Sequence, residues 1–340
     1  CSTNSARIKP RRDNGRIRIV LRHIVAACAA LMVIASSAAQ SETYPSRPIR
    51  VIIPYSAGSG ADITARQTMA KLSEFLGQNI VVENRPGTSA IVGTDAVAKA
   101  TPDGYTLLFG VTQHAINPTL QPKLPYDTLK DFAPVARVTS QPLYMGVNTA
   151  VPGNTVAEVI DHIKANPGKY NYASTGTGTS IHLAGAYFNW KAGLQMAHIP
   201  YTNASQTLVD LGRGDVQVLF YTHSPLLPQV QMGRVKILGS TGDKRSSWAP
   251  DVPTMEEAGM RGFVMPAWHA VFAPAKTPPE IVKVLETTLA KVAQDPDYRK
   301  TIEPTGTDIY YAGSKELGAF IESEIARFGE ILKQSGTKIP

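Results

Sequence analysis

Short apolar, β-branched runs alternate along the chain with longer segments whose apolar residues recur every three or four positions. The first such run, IRVIIP, leads into a segment where Met69, Leu72 and Leu76 lie at helical spacing, with Gly77 where a helix would end. This order is typical of βαβ units, whose parallel strands form a sheet with helices on its faces. The pattern therefore predicts an α/β fold.

The alternation occurs in two sets, separated by a segment without clear periodicity. Residues 117–142 contain several prolines and predict a connecting stretch. The second set runs from LYMGVN to VKILGST, and the chain then returns through FVMPAWHAVFAPAKTP. Two amphipathic helices, at 279–295 and 314–335, are predicted at the end. Two α/β sets in 340 residues indicate two domains, since a domain usually has about 100–200 residues.

The N-terminal segment carries most of the excess positive charge. The chain has 34 basic and 27 acidic residues, and residues 1–39 hold seven of the basic ones against Asp13 alone. An apolar run and small residues follow the basic stretch, which is typical of a secretory signal. We predict that residues 1–39 are a signal peptide or leader cleaved near Ala39, and that the mature protein is exported. Its nearly neutral charge does not favour a nucleic-acid partner.

The sequence lacks the common signatures of catalysis and of metal or nucleotide binding. It contains no G-x-S-x-G, H-E-x-x-H, C-x-x-C or G-x-x-x-x-G-K-[ST] pattern. The loop from Gly58 to Gly60 begins like a dinucleotide fingerprint, but Ile63 occupies the third glycine position. The histidines do not have the spacing of metal ligands, and both cysteines, Cys1 and Cys28, lie in the leader. We therefore predict no catalytic residue, no metal and no cofactor.

Three loops rich in Gly, Ser and Thr join a predicted strand to a predicted helix, at residues 55–62, 84–93 and 174–182. A helix N-terminus offers unpaired N–H groups and a positive dipole end, and glycine lets an anion approach the backbone. The three loops therefore predict an anion site without a charged side chain. A purely structural alternative is that Ser59 and Asp62 form a capping box, Ser180 caps a helix and Arg85 makes a surface ion pair.

Several of these segments also resemble a known family. YPSRPIRVIIPYSAGSGADITAR, LGQNIVVENRPG, PDGYTLLFG, LPYDTLKDFAPVARV, GKYNYASTGTGTSIHLAG, HIPY, DVPTMEEAG and APAKTPPEIV occur in order from about Tyr44 to the C-terminus. Together they resemble the periplasmic substrate-binding receptors of tripartite tricarboxylate transporters, the Bug receptor family. The resemblance implies a two-lobed α/β periplasmic binding protein, or Venus flytrap, with residues 40–142 and 266–340 in lobe 1 and 143–265 in lobe 2.

The resemblance further implies that a small organic carboxylate binds in the cleft between the lobes and passes to integral-membrane transporter subunits. Lobe 1 would hold one carboxylate, partly through water, and lobe 2 would supply the opposite loops. We expect the receptor to be monomeric. The residues expected to bind the ligand are Tyr55, Ser56, Ala57, Gly58, Ser59, Gly87, Thr88, Ser89, Thr112, His114, Ser174, Thr175, Gly178, Thr179, Ser180, Tyr201, Asn203, Tyr221 and Thr222.

Three departures from the family pattern fall in these loops. Ser59 interrupts the usual Gly-Gly pair, Ser89 and Ala90 stand where the family often has two glycines, and Thr202-Asn203 replaces Lys-Gly. Each change adds bulk or a hydrogen-bond donor to the cleft, so we expect the ligand to differ from that of commoner members.

The loops also limit the choice of ligand. The only acidic side chain they offer is Asp62, so an amino acid is disfavoured, because its buried ammonium would lack a partner. We favour a di- or aromatic carboxylate, adipate-like or terephthalate-like, with C4–C6 acids such as citrate as the fallback. Two other functions remain open at this point: an exported hydrolase with Ser180 near His182, and a ligand-sensing receptor for a membrane kinase.

Overall fold

Eleven strands of the described chain form two β-sheets. A computed structural model describes residues 43–335 except 122, 202, 247 and 248, so the predicted leader and its cleavage point lie outside the described residues. The strands are β1 (Ile49–Ile53), β2 (Ile80–Asn84), β3 (Thr106–Val111), β4 (Phe132–Gln141), β5 (Tyr144–Asn148), β6 (Asn171–Ser174), β7 (Ala197–Pro200), β8 (Val218–Tyr221), β9 (Val235–Ser240), β10 (Ala267–Pro274) and β11 (Asp308–Gly313).

Helices cover both sheets. They are α1 (Gly60–Leu76), α2 (Ile91–Ala98), α3 (Gln113–Leu120), α4 (Val156–Lys164), α5 (Ser180–Lys191), α6 (Ala204–Arg213), α7 (His223–Gln231), α8 (Pro279–Gln294), α9 (Pro296–Ile302) and α10 (Ser314–Ser335), with short 3₁₀ turns at Thr88–Ala90 and Glu303–Thr305. In the described part of the chain, no helix is both long and apolar enough to cross a membrane.

The first sheet is buried on both faces, which explains the continuous apolar run of β1. Its strand order is β11-β4-β10-β3-β1-β2. Val51 and Ile53 pack with α1, α8 and α9, whereas Ile52 points to the opposite face and packs in the core that includes α2, α3 and α10. A strand covered on both sides needs apolar residues at successive positions rather than at alternate ones.

The second sheet has the order β7-β6-β8-β5-β9. Helices α4 and α5 contribute to the core on one face, and α6 and α7 to the core on the other. Helix α10 also packs against α5, so the core on the α5 side continues from one sheet to the other. The structure thus confirms the predicted α/β class.

Two expectations about the strands were wrong. Both sheets are mixed, because β10 runs antiparallel to β3 and β4, and β5 runs antiparallel to β8 and β9. The predicted connecting stretch contains the second half of α3 and all of β4. Pro134 obscured the strand pattern, and β4 accommodates it where the pairing with β10 is irregular, between Val271 and Phe272.

Strand pairing shows where the loop-bearing edge of the first sheet lies. Ala267 at the start of β10 pairs with Gln141 at the end of β4, and His269 pairs with Val111 at the end of β3. Strands β1 and β2 are parallel to β3, so the loops that follow these three strands leave the same edge. The chain crosses to the second sheet from this edge.

The second sheet presents its loops at the same crossing. Tyr144, at the start of β5, pairs with Tyr221 at the end of β8, and β6 runs parallel to β8. The loops after β6 and β8 therefore leave the edge at which β5 begins. Topology alone thus brings the predicted loops of both sheets to the place where the chain passes between them.

Thr241 joins the chain segments that pass between the sheets. Its backbone N–H donates to the carbonyl of Leu143 (2.8 Å), and its hydroxyl accepts the Leu143 N–H (2.9 Å). The same hydroxyl donates to the carbonyl of Met265 (3.0 Å), whose N–H donates to the Thr241 carbonyl (2.8 Å). Thr241 is fully buried. One side chain therefore fixes the outgoing and the returning crossing.

We expect Thr241→Val to lower the free energy of unfolding by about 1–3 kcal/mol, because it leaves the buried Leu143 N–H without its acceptor. Urea unfolding would measure the loss. Thr241→Ser keeps the hydroxyl and should lose less. Equal losses in the two variants would contradict a role for the hydroxyl.

Candidate functional site

The first loop ends in a complete N-terminal cap of α1. Ser59 is the N-cap residue, and its hydroxyl accepts the N–H of Asp62 (3.3 Å). The Asp62 carboxylate in turn accepts the N–H of Gly58 (2.8 Å). This reciprocal pair is a variant of the capping box. The carboxylate accepts the N–H of the residue before the N-cap, whereas in the usual box it accepts the N–H of the N-cap itself. It leaves the N–H groups of Gly60 and Ala61, in the first turn, without partners inside the helix.

Asp62 also ties the first loop to the second. Its carboxylate accepts hydrogen bonds from Arg66 (2.9 Å) and from the Asn84 amide (2.8 Å), and the same amide donates to the carbonyl of Tyr55 (3.0 Å). Burial alone would raise the pKa of Asp62, but the hydrogen bonds from Gly58, Arg66 and Asn84 lower it. This carboxylate is therefore ionised and fully engaged, as the capping alternative predicted.

The second loop holds two non-glycine residues in the left-handed region. Ser89 has φ 49° and Ala90 has φ 66°. The Asn117 amide donates to the carbonyl of Ser89 (2.8 Å), and the N–H of Ala90 donates to the carbonyl of Gly87 (3.1 Å). L-residues pay roughly 1–2 kcal/mol each for this conformation. Tertiary contacts therefore impose a shape that glycine would adopt without strain.

Most hydroxyls of the third loop bond within the loop. Thr179 caps α5: its hydroxyl accepts the N–H of His182 (3.2 Å) and donates to the carbonyl of Gly176 (2.8 Å). Ser174 is fully buried, and its hydroxyl contacts both the N–H and the carbonyl of Gly176 (3.1 Å each). The N–H of Gly178 donates to Nδ1 of His182 (3.1 Å). Thr179, Ser174 and Gly178 thus shape the loop.

Two stacked histidines lie beneath this loop, and no local sequence pattern predicts their pairing. The rings of His182 and His198 are 3.9 Å apart between centroids, and Nε2 of His198 lies 2.7 Å from the Ser174 hydroxyl. Burial, and then the neighbouring His198, lowers the pKa of His182 to about 4. Burial also lowers the pKa of His198. Since Nδ1 of His182 accepts a hydrogen bond from Gly178, the loop requires that nitrogen unprotonated.

The loop after β7 is also held by its own side chains. The hydroxyl of Tyr201 donates to Asp210 (2.9 Å). Asn203 caps α6, where its side-chain oxygen accepts the N–H groups of Ser205 (2.9 Å) and Gln206 (3.4 Å). The Tyr201 hydroxyl and the Asn203 oxygen are therefore structural.

The remaining predicted positions differ in exposure. Thr222, half-buried, begins α7 without a side-chain capping bond, next to the half-buried Tyr221. Thr112 is 2% exposed, and its hydroxyl accepts the N–H of Trp268 (3.1 Å). Thr112 therefore joins β10 to the end of β3 rather than offering a group to solvent.

His114, which the sequence predicted to bind the ligand, is buried in the structure. It is 2% exposed and packs against the rings of Phe132 (4.8 Å) and Phe272 (4.6 Å), with Tyr126 farther away (6.4 Å). Neither ring nitrogen has a hydrogen-bond partner among the described residues. Burial lowers the pKa of His114 to about 3. The sequence placed His114 in the site because it follows β3, but in α3 its ring turns into the aromatic core.

A smaller set of groups remains available to a ligand. The hydroxyls of Ser56, Thr175 and Ser180 make no hydrogen bond to the described part of the chain. They lie at the ends of β1 and β6 and at the start of α5. Together with the N–H groups at the start of α1, they form a neutral set of donors, which suits an anion. In residues 43–335, gaps aside, no three His, Cys, Asp or Glu side chains could hold a metal.

Comparison with known proteins places this geometry in a family. Residues 64–337 match the family described as tripartite tricarboxylate transporter family receptor. The chain belongs to this family. The receptor is similar to a UPF0065 protein of Bordetella pertussis, with 35% identity over 308 residues that cover 90% of this chain and 94% of the relative. The predicted family, and the prediction that the protein is not an enzyme, are confirmed.

Two solved structures share the receptor's fold. An R. palustris protein solved with adipate is 30% identical, with a TM-score of 0.78 over 87% of this chain and 99% of its own. MatC of Rhodopseudomonas palustris, solved with malate, is 28% identical, with a TM-score of 0.73 over 85% of this chain and all (100%) of its own. The predicted two-lobed α/β periplasmic binding fold is confirmed.

The geometry also argues against Ser180 and His182 as the catalytic pair of a hydrolase. Ser180 makes no hydrogen bond to His182, whose Nδ1 is occupied by the Gly178 N–H and whose ring stacks on His198. A serine nucleophile needs a base within hydrogen-bonding reach. The receptor lacks that arrangement at this loop.

The buried histidines predict a loss of stability in mild acid. Burial lowers the pKa to about 4 for His182 and His269 and to about 3 for His114, against about 6.5 in the unfolded chain. As the pH falls from 6.5 toward 4, the unfolded chain binds protons that the folded receptor excludes, so the free energy of unfolding falls. We expect urea unfolding to show a loss of about 1–2 kcal/mol per such histidine between pH 7 and pH 5.

A non-titrating variant provides the control for this pH dependence. The side-chain oxygen of asparagine can accept the Gly178 N–H, so His182→Asn should flatten part of the slope. A free energy of unfolding that stays constant between pH 7 and pH 5 would contradict the assignment.

We expect Ser89→Gly to stabilise the receptor by about 0.5–1 kcal/mol, because relief of the left-handed strain exceeds the added entropy of the unfolded chain. Thermal unfolding would measure the gain. Ala70→Gly, at an exposed position within α1, should instead lose about 1 kcal/mol. Destabilisation by Ser89→Gly would show that the serine is not strained.

Proposed function

We propose that the receptor captures a small di- or aromatic carboxylate between its two lobes and delivers it to the membrane subunits of a tripartite tricarboxylate transporter. Residues 40–142 and 266–340 act as one lobe and residues 143–265 as the other. The mature protein works as a periplasmic monomer after cleavage near Ala39. The ligand is a linear diacid such as adipate or a flat one such as terephthalate.

The neutral donor set carries this proposal. The N–H groups at the start of α1 and the hydroxyls of Ser56, Thr175 and Ser180 can all donate to a carboxylate. The acid of the first loop, Asp62, is already engaged by Arg66 and Asn84, so it offers no group to an ammonium. An amino acid would have to bury its positive charge without a carboxylate partner, which is costly.

Two carboxylates suit the placement of these donors. Some lie at the loop edge of the first sheet and others at the loop edge of the second, and both edges adjoin the same crossing. Adipate and malate, found with the two structural relatives, are both dicarboxylates. The strained second loop and the Thr202-Asn203 position differ from the usual family pattern, which supports a ligand other than that of the commoner members.

A thermal-shift screen tests the ligand class. We expect adipate or terephthalate to raise the melting temperature most, with malate and citrate weaker and with glutamate and aspartate silent, because the site lacks a free acid for an ammonium. The largest shift from glutamate or aspartate, with diacids silent, would refute the proposal.

Calorimetry on variants tests the site with the same ligand. Ser180→Ala should weaken binding by about 1–3 kcal/mol without lowering the melting temperature, since its hydroxyl has no structural bond. Arg85→Ala should cost less, because Arg85 is paired with Glu83 and its side chain is 39% exposed. The reverse ranking would contradict recognition by neutral donors.

A further inference from the structure

A cavity lies outside the loops of the candidate site. Its volume is about 300 Å³, and it lies between β4, β11, α10 and the segment that returns from the second sheet. Its polar and aromatic lining residues are Arg137, Ser140, Asp243, Tyr310, Phe320, Glu324 and Arg327. None of these residues belongs to the loops that follow β1, β2, β3, β6, β7 or β8.

Arg137 is the unusual residue of this cavity. It is 5% exposed, and its guanidinium carbon lies 4.1 Å from the ring centroid of Tyr310 and 4.3 Å from that of Phe320. Its only hydrogen bond to the described residues runs from Nε to the carbonyl of Thr139, at 3.5 Å. A buried charge normally has an ionic partner, because desolvation costs several kcal/mol. The aromatic rings offset only part of that cost.

The nearby acidic side chains do not act as the ionic partner of Arg137. Glu324 accepts hydrogen bonds from Trp268 Nε1 (3.0 Å) and from Arg327 (2.7 Å), so its carboxylate is engaged. Asp243 is exposed, and among the described residues no carboxylate lies within ion-pair distance of Arg137. The terminal nitrogens of Arg137 are therefore left to whatever enters the cavity.

The chemistry of the cavity selects a planar anion. Aromatic rings cover the guanidinium, so new hydrogen bonds can form at its edge, where two parallel N–H groups match the oxygens of a carboxylate. The hydroxyl of Ser140, which has no hydrogen bond to the described chain, lines the same cavity. We propose that this cavity is a second binding site, for a small carboxylate held by both terminal nitrogens of Arg137.

Fluorine NMR with trifluoroacetate as the probe tests this site at constant ionic strength. We expect line broadening that reports millimolar binding to the wild-type receptor, and at least about tenfold weaker binding to Arg137→Met. Arg213→Met is the matched control, because Arg213 is an exposed arginine at the end of α6, outside the cavity, and should not change the broadening.

A second variant of Arg137 and a competition with chloride complete the test. Arg137→Lys keeps the charge but loses the planar fork, so it should weaken binding about fivefold, and it carries the test if circular dichroism shows that Arg137→Met does not fold. Identical broadening in wild type and both Arg137 variants would overturn the proposal. Displacement of trifluoroacetate by an equal concentration of chloride would also overturn it, because the site would then not select carboxylates.

Discussion

The structure depends on how the chain is fixed where it passes between the two sheets. There, Thr241 bonds through its backbone and its hydroxyl to Leu143 on the outgoing crossing and to Met265 on the return. The strand pairings place the loop edges of both sheets at this crossing. The relation between the loop edges of the two sheets is therefore set by these buried hydrogen bonds, by strand direction and by the packing of α10 against α5.

The loops themselves are built largely from internal hydrogen bonds. Several polar side chains cap helices or join one loop to another, namely those of Asp62, Asn84, Thr179 and Asn203. This arrangement leaves backbone N–H groups and a few hydroxyls facing outward in fixed positions. Fixed neutral donors bind a carboxylate without burying a cation, which avoids the desolvation cost of a charged pair. The buried Arg137 shows the opposite arrangement, a charge whose partner must come from outside.

The sequence predicted helices and strands correctly where the apolar periodicity and the capping residues indicated the same element. The cap of α1 followed from the Ser59 and Asp62 spacing, and the end of the helix from Gly77, which adopts φ 64°. Strand β4 was missed because Pro134 breaks the apolar pattern, and only the irregular pairing with β10 makes it compatible with a sheet. His114 was misplaced for a related reason: its position after β3 is local, whereas the direction of its ring depends on packing against Phe132 and Phe272.

The sequence by itself determined the α/β class, most helix and strand positions, the glycine- and hydroxyl-rich loops and the receptor family, because these follow from periodicity, capping and ordered motifs. Only the tertiary structure decided which hydroxyls remain free, that Ser89 and Ala90 are held in a left-handed conformation, that His182 stacks on His198, and that Arg137 is buried without an ion pair. These features depend on residues far apart in the chain, and hydrogen bonding and burial between such residues leave no local pattern to read.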